Sequence, residues 1–223
     1  FKPSCIEFDE SYITPTKILA SALQNETTKY LILWGKLQIK DSTWESDVPE
    51  ELLKVYKEQL RKNQIPMKYI HDPSIFFTIG DEIYVFRNKN KLRDYQEEGV
   101  KWIFNNWKNR KSCILADEMG MGKTIQTIAF LEILKQKCGV QGPFLVVVPL
   151  STAHNWMDEI DKWTSLEALL YTGNRTCREL IRNFCIFNEV RPNTMKVEII
   201  VVPYDNIVSD FSFFSRISWA YCV

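Results

Sequence analysis

The chain has 223 residues, 45% of them hydrophobic and 25% charged, enough for one large or two small globular domains. Its 28 basic and 28 acidic side chains cancel, which excludes a chain that is basic overall; any nucleic-acid surface has to be local. In chain order, residues 1–63 read as a first, small unit. Residues 29–34 (Lys-Tyr-Leu-Ile-Leu-Trp) are rich in strand formers, and a turn at 40–42 precedes Thr43-Trp44-Glu45. Asp47-Val-Pro-Glu50 places a cap, an early proline and a first-turn acid in the order that starts a helix. Leu52, Leu53, Tyr56 and Leu60 then recur on one helical face. Residues 64–90 form a connector in which Pro66 and Pro73 interrupt any helix. Its apolar stretches 75–77 and 83–86 are suited to lie across a neighbouring surface.

A second unit spans 91–223. Leu92, Tyr95, Val100, Ile103 and Trp107 share a helical face, with Gln96 beside it. After a polar turn at 109–111, the apolar run 113–116 (Cys-Ile-Leu-Ala) predicts a buried parallel strand. A glycine-bearing turn follows, and then an apolar helix over 123–134. Strand, turn, Gly-Lys-Thr and helix is the order of a phosphate-binding loop. Gly120 and Gly122 let successive N–H groups turn inward, and the helix adds its positive end. Lys123 then serves as a point charge for the β/γ-phosphates, and the Thr124 hydroxyl as a ligand for Mg²⁺.

The rest alternates in the same way. Residues 144–149 (Phe-Leu-Val-Val-Val-Pro) predict a central strand and Leu150-Ser-Thr152 the start of a helix, where Ser151 and Thr152 also suit capping. Residues 188–196 predict a polar loop. Residues 197–202 and 217–223 predict two further strands. The pattern is an α/β lobe with its ligand at the carboxyl ends of a parallel sheet.

Residues 115–124 (Leu-Ala-Asp-Glu-Met-Gly-Met-Gly-Lys-Thr) resemble motif I of the Swi/Snf-like DNA translocases. Met121 replaces a leucine there, and Asp117 stands where the strict phosphate-loop pattern has glycine. The resemblance implies a RecA-like P-loop ATPase lobe that binds ATP and Mg²⁺. Its cofactor-binding positions would be Asp117, Glu118, Met119, Gly120, Met121, Gly122, Lys123 and Thr124, with Thr124 on the metal. Gln96, in Leu-Arg-Asp-Tyr-Gln, resembles the adenine-reading glutamine of helicase-like ATPases. The stretch after Pro149 resembles motif Ia, which implies DNA-backbone contacts from Ser151, Thr152 and Asn155. Tyr171-Thr-Gly-Asn-Arg175 with Arg178 and Ile181-Arg182 resembles the family's Tyr-x-Gly turn and arginine-rich helix, whereas Val202-Pro203-Tyr204 departs from its Thr-Thr-Tyr and loses two hydroxyls. The last strand resembles the one that runs into the family's Asp-Glu-x-His box, and the chain stops one residue short of it.

The first unit resembles a chromodomain in Tyr12, Lys17-Ile-Leu19, Tyr30-Leu-Ile-Leu-Trp34 and Ser42-Thr-Trp-Glu45. Tyr12 and Trp34 match two positions of a methyl-lysine cage, in which ring faces attract a cation. Leu37 stands where a third aromatic usually falls, and Gly35-Lys36 reverses the common order, so weak binding of methylated tails is expected.

Together the two units resemble the CHD (chromodomain helicase DNA-binding) remodellers. That implies a chromodomain at 1–63, a linker at 64–90 and a first ATPase lobe at 91–223, truncated before the acidic box. It also implies a nuclear, ATP-driven remodeller whose partners are nucleosomal DNA, histones and a missing second lobe. Catalysis would be incomplete in this chain, which begins at Phe1 and reads as a piece of a longer protein. Two alternatives stand beside it: a non-catalytic chromatin adaptor built on an ATPase-like platform, and a helicase that unwinds duplexes.

Six scattered cysteines without a Cys-x-x-Cys pair predict reduced thiols in an intracellular protein, with Cys113 and Cys222 inside buried strands. His71 and His154 are too few to expect a zinc site. No run approaches the roughly 20 apolar residues of a membrane span, and no signal peptide is legible.

Overall fold

The computed structural model describes residues 10–35, 37–62, 65–66, 86–189, 191 and 194–223. The readings at Cys5, His71, Pro73, 75–77 and 83–85 lie outside them. In chain order come strands β1 (Pro15–Gln24), β2 (Thr27–Trp34) and β3 (Thr43–Glu45), helix α1 (Glu50–Lys62) and the two-residue strand β4 (Ile65–Pro66). Next come α2 (Asp94–Lys108), α3 (Lys123–Cys138), β5 (Phe144–Val148), α4 (Leu150–Trp163) and β6 (Ala168–Leu170). Last are α5 (Arg175–Leu180), β7 (Thr194–Met195), β8 (Ile199–Pro203), α6 (Tyr204–Ser209), α7 (Phe211–Phe214) and β9 (Tyr221–Cys222). Two compact units result: Phe1–Gln64 with Gly173–Lys196, and Ile65–Thr172 with Val197–Val223.

The first unit is built on an antiparallel sheet of order β1-β2-β3. Asn25 and Glu26 both take positive φ (49° and 64°), the backbone of a two-residue hairpin turn whose twist matches the strands. A register shift between Ile18 and Ala20 lets three successive residues, Ile18 to Ala20, all be buried, where strict alternation would expose one. α1 carries Glu50 and Glu51 in its first turn and Arg61 and Lys62 in its last, complementing its dipole, and it buries Tyr56.

The rest of this unit comes from far along the chain. Asn174 Oδ1 accepts the Cys177 N–H (2.9 Å) and caps α5, which runs on as π-helical turns over Ile181–Ile186. The sequence places this stretch with the second unit; it packs in the first because Ile181, Cys185, Ile186 and Met195 are buried there and Phe184 meets Trp44 edge-on at 5.5 Å. Charge ties the layers together. The Glu189 carboxylate accepts from Ser21 N (2.9 Å), Ser21 Oγ (2.8 Å), Tyr56 Oη (3.0 Å) and Lys196 Nζ (2.6 Å). Lys196 Nζ also donates to the Leu19 and Phe184 carbonyls, each at 2.9 Å.

The second unit holds a parallel sheet of order β6-β8-β5-β9, with Val146 opposite Val201 and Phe144 opposite Tyr221. Phe144, Val146 and 199–202 are buried, as a sheet covered on both faces requires. α3 packs between α2 and α4 and buries residues around most of its circumference, including Ile128, Phe130, Leu131 and Leu134. The end of the connector joins this core: Phe86 is buried edge-on against Trp163, and Arg87 pairs with Asp161 at 2.6 Å.

The expected strand at 113–116 takes no regular secondary structure and belongs to no sheet. Cys113 and Leu115 pack on the core while Ile114 is 85% exposed, so only one face is covered. Its neighbour β9 is two residues long and pairs with β5 instead. For the same reason Cys113 is only half-buried and Cys222 is exposed, against the expectation for both; the five described cysteines are free thiols. Among the described residues, no helix is long and apolar enough to cross a membrane.

Candidate phosphate-binding site

Residues 117–122 join the segment 113–116 to α3. Gly120 (φ 87°) and Gly122 (φ 78°) occupy left-handed backbone that side chains rarely adopt, and a Cβ on Gly122 would also meet Gln96 Nε2 at 2.5 Å. α3 follows at once. Its cap residue Gly122 makes no side-chain bond and its first turn carries no acid, so the first helical N–H groups and the positive helix end face the loop. Lys123 Nζ donates to the carbonyls of Asp117 (2.7 Å) and Glu118 (2.9 Å), which carries the ammonium across the loop. Thr124 follows, half-buried, and Met119 at the tip is 97% exposed. Turned N–H groups, a helix end, an ammonium and a hydroxyl form a donor set that fits phosphate.

Behind the loop the α2–α3 contact turns polar. Gln96 is buried; its Oε1 accepts from Arg93 N (3.0 Å) and its Nε2 donates to Met121 O (3.2 Å). An adenine edge would have to compete with both bonds. Gln126 is fully buried, and its Nε2 donates to Asp117 Oδ2 (2.7 Å) and to Met121 O (3.4 Å). Its Oε1 lies without a hydrogen-bond partner where a Cβ on Gly99 would fall. Sequence reading sets Gly99 beside Val100 on the helical face and gives neither it nor Gln126 a role. The available signals were a lone amide in an apolar helix and a glycine inside a helical pattern, which usually has a packing reason.

The remaining candidates lie elsewhere. Ser151, Thr152 and Asn155 are all exposed on the first turns of α4, after Pro149 ends β5. The Thr152 hydroxyl donates back to Pro149 O (3.0 Å). In the first unit Tyr12 is 44% exposed, and the half-buried Trp34 donates its indole N–H to Thr43 Oγ1 (2.9 Å). A cleft of about 380 Å³ opens between 110–113 and 219–222, but it lacks the glycine turn and the helix start that define the loop.

The SNF2-related domain family matches residues 95–223. The mouse chromodomain-helicase-DNA-binding protein 6 is 35% identical over 100% of this chain and 8% of its own length. The human chromodomain-helicase-DNA-binding protein 8 is 37% identical over 85% of this chain and 8% of its own. The chain thus spans less than a tenth of these relatives. Among solved structures, the Sulfolobus solfataricus SWI2/SNF2 ATPase core in complex with dsDNA superposes with a TM-score of 0.51 at 26% identity, covering 66% of this chain and 27% of that one. The chain belongs to the SNF2-related family, and its relatives there are of the chromodomain-helicase-DNA-binding kind.

Proposed function

We propose that this chain carries the ATP-binding loop of a DNA-translocating, DNA-stimulated ATPase that remodels chromatin in the nucleus. The observation that carries the reading is the pair of left-handed glycines set directly before the bare N-terminus of α3, with Lys123 and Thr124 in its first turn. The relatives' names and the DNA-bound ATPase core support it. Bound ATP would supply the phosphoanhydride whose cleavage drives movement. Gly120, Gly122 and the first N–H groups of α3 cradle its phosphates, and Lys123 neutralises charge on the β/γ oxygens. Mg²⁺ characteristically takes few protein ligands and relies on substrate phosphates, so the Thr124 hydroxyl is a sufficient start for it. Ser151, Thr152 and Asn155 offer exposed hydroxyl and amide groups to a DNA backbone. The sheet and α1 of the first unit serve as a chromodomain, which accounts for histones as partners.

The test is phosphate release, with and without nucleosomes, in a protein of the relatives' full length. ATP turnover that nucleosomes raise, and that Lys123→Ala abolishes, is expected. Turnover unchanged by Lys123→Ala would refute the site, and a wild-type protein without turnover would leave an adaptor.

A further inference from the structure

Gln126 is a costly residue where it stands. It is fully buried, its α3 neighbours Ile128, Ala129 and Phe130 are all core, and its amide oxygen has no hydrogen-bond partner. An apolar side chain would fill that space without the penalty of a buried unpaired acceptor. What the amide gains is a hold on two points of one loop, at Asp117 Oδ2 and at Met121 O. The acceptors on that side fix the amide's orientation, since a carboxylate and a carbonyl both require the nitrogen.

We propose that Gln126 is a positioning residue that sets the shape of the phosphate-binding loop, bracing both of its ends from inside the α2–α3 contact, with Gly99 supplying the space for its amide. Asp117 is braced through its carboxylate, and its carbonyl, with that of Glu118, receives Lys123 Nζ. Fixing Asp117 therefore fixes where the ammonium rests. Met121 O is held by two amides, from Gln96 and Gln126. In a trans peptide the C=O and the following N–H point opposite ways, so drawing the Met121 carbonyl backward aims the Gly122 N–H forward into the cradle. Gly99 completes the device, because any Cβ there would displace the Gln126 oxygen. The inference rests on the reading of this loop as a nucleotide site.

The experiment exchanges donor and acceptor. Binding of a fluorescent ATP analogue with Mg²⁺ is titrated on the 223-residue chain and its variants, each checked by thermal melting. Gln126→Glu faces the Asp117 carboxylate with a second one, and affinity is expected to fall at least roughly tenfold. Adding Asp117→Asn reverses the polarity of that bond while the bond to Met121 O stays lost, and affinity is expected to recover in part above that of Gln126→Glu. A structural role alone would not show that rescue. Asp117→Ala leaves the buried Gln126 nitrogen only its longer bond to Met121 O, and is expected to weaken binding while lowering the melting temperature modestly. Wild-type affinity in Gln126→Glu or Asp117→Ala overturns the proposal, as does a folded double variant that binds no better than Gln126→Glu. If Gln126→Glu does not fold, the double variant and Asp117→Ala decide. Lys123→Ala separates the two levels: if it binds like wild type, the nucleotide reading itself fails. If it loses binding while Gln126→Glu does not, only the brace is wrong.

Discussion

Gly99 stands in the middle of α2 because the Gln126 oxygen of another helix occupies the place of its missing side chain. Gly99→Ala should therefore destabilise the second unit by about 1–3 kcal/mol, the usual cost of overpacking, although alanine is the better helix former. A melting curve checks it, and a stabilised variant would show that Gln126 moves freely. The glutamates Glu189 and Glu198 respond to pH with opposite signs. Burial works to raise Glu189, but Lys196 and the Ser21 donors outweigh it and hold the carboxyl below its usual range. At Glu198 burial wins over Lys135 and the Glu167 N–H, and the carboxyl is raised. A depressed acid stabilises above its ordinary value of about 4.3 and loses that contribution as pH falls through its folded value. A raised acid does the reverse: its stabilising contribution is present at low pH and is lost as pH rises through the raised value. Lowering the pH from 7 to 5 should thus raise the melting temperature of the second unit, and Glu198→Gln should flatten that rise. An unchanged slope in the variant would assign it to another group. None of this was legible beforehand, since sequence shows that Glu198 adjoins an apolar run but not that Lys135 stands beside it.

Among the elements, those with an internal period were readable. The helical faces at 52–60 and 92–107 and the apolar runs at 144–149 and 197–202 became α1, α2, β5 and β8 within a few residues. The run at 113–116 misled because composition predicts that a segment is apolar, not that a neighbouring ladder exists to pair with it. The arginine-bearing stretch after Gly173 misled differently. Its buried face was foreseeable, but which sheet it would cover was not, because that is a long-range contact. The Glu189 clasp gives that docking a measurable strength. It gathers β1, α1 and the chain after α5 on one carboxylate, so Glu189→Ala strands a Lys196 side chain that is only 13% exposed. Removing one partner of a fully buried pair costs about 3–5 kcal/mol and an exposed pair under about 1, so for this partly exposed one a loss of roughly 1–3 kcal/mol is expected. Chemical denaturation of the first unit should show that loss, and a change below about 1 kcal/mol would mean that solvent reaches the pair. In the same unit, Trp34 of β2 is tied to Thr43 of β3, and Leu37 offers no third ring. Histone-tail peptides, trimethylated and unmodified, should bind alike; a preference of about tenfold or more would show a cage completed elsewhere.

For the molecule as a whole, two units interleave along the chain: the connection from β6 to β8 leaves the second unit at Gly173 and returns at Val197. Adjacent parallel strands need a long crossover, and here that crossover belongs by its packing to the other unit. The α/β alternation and the glycine turn before α3 were legible because both are local in sequence. The interleaving and the brace behind the loop were not, because both are made by residues far apart in the chain.

The central claim is that residues 117–124 bind the phosphates of ATP, and equilibrium binding tests it most directly. A fluorescent ATP analogue is titrated with Mg²⁺ against the chain and its Lys123→Ala variant, with GTP and ATP as competitors. The account predicts saturable binding that Lys123→Ala weakens at least about tenfold and that ATP displaces better than GTP. Equal affinity in the two proteins, at equal melting temperature, would contradict it.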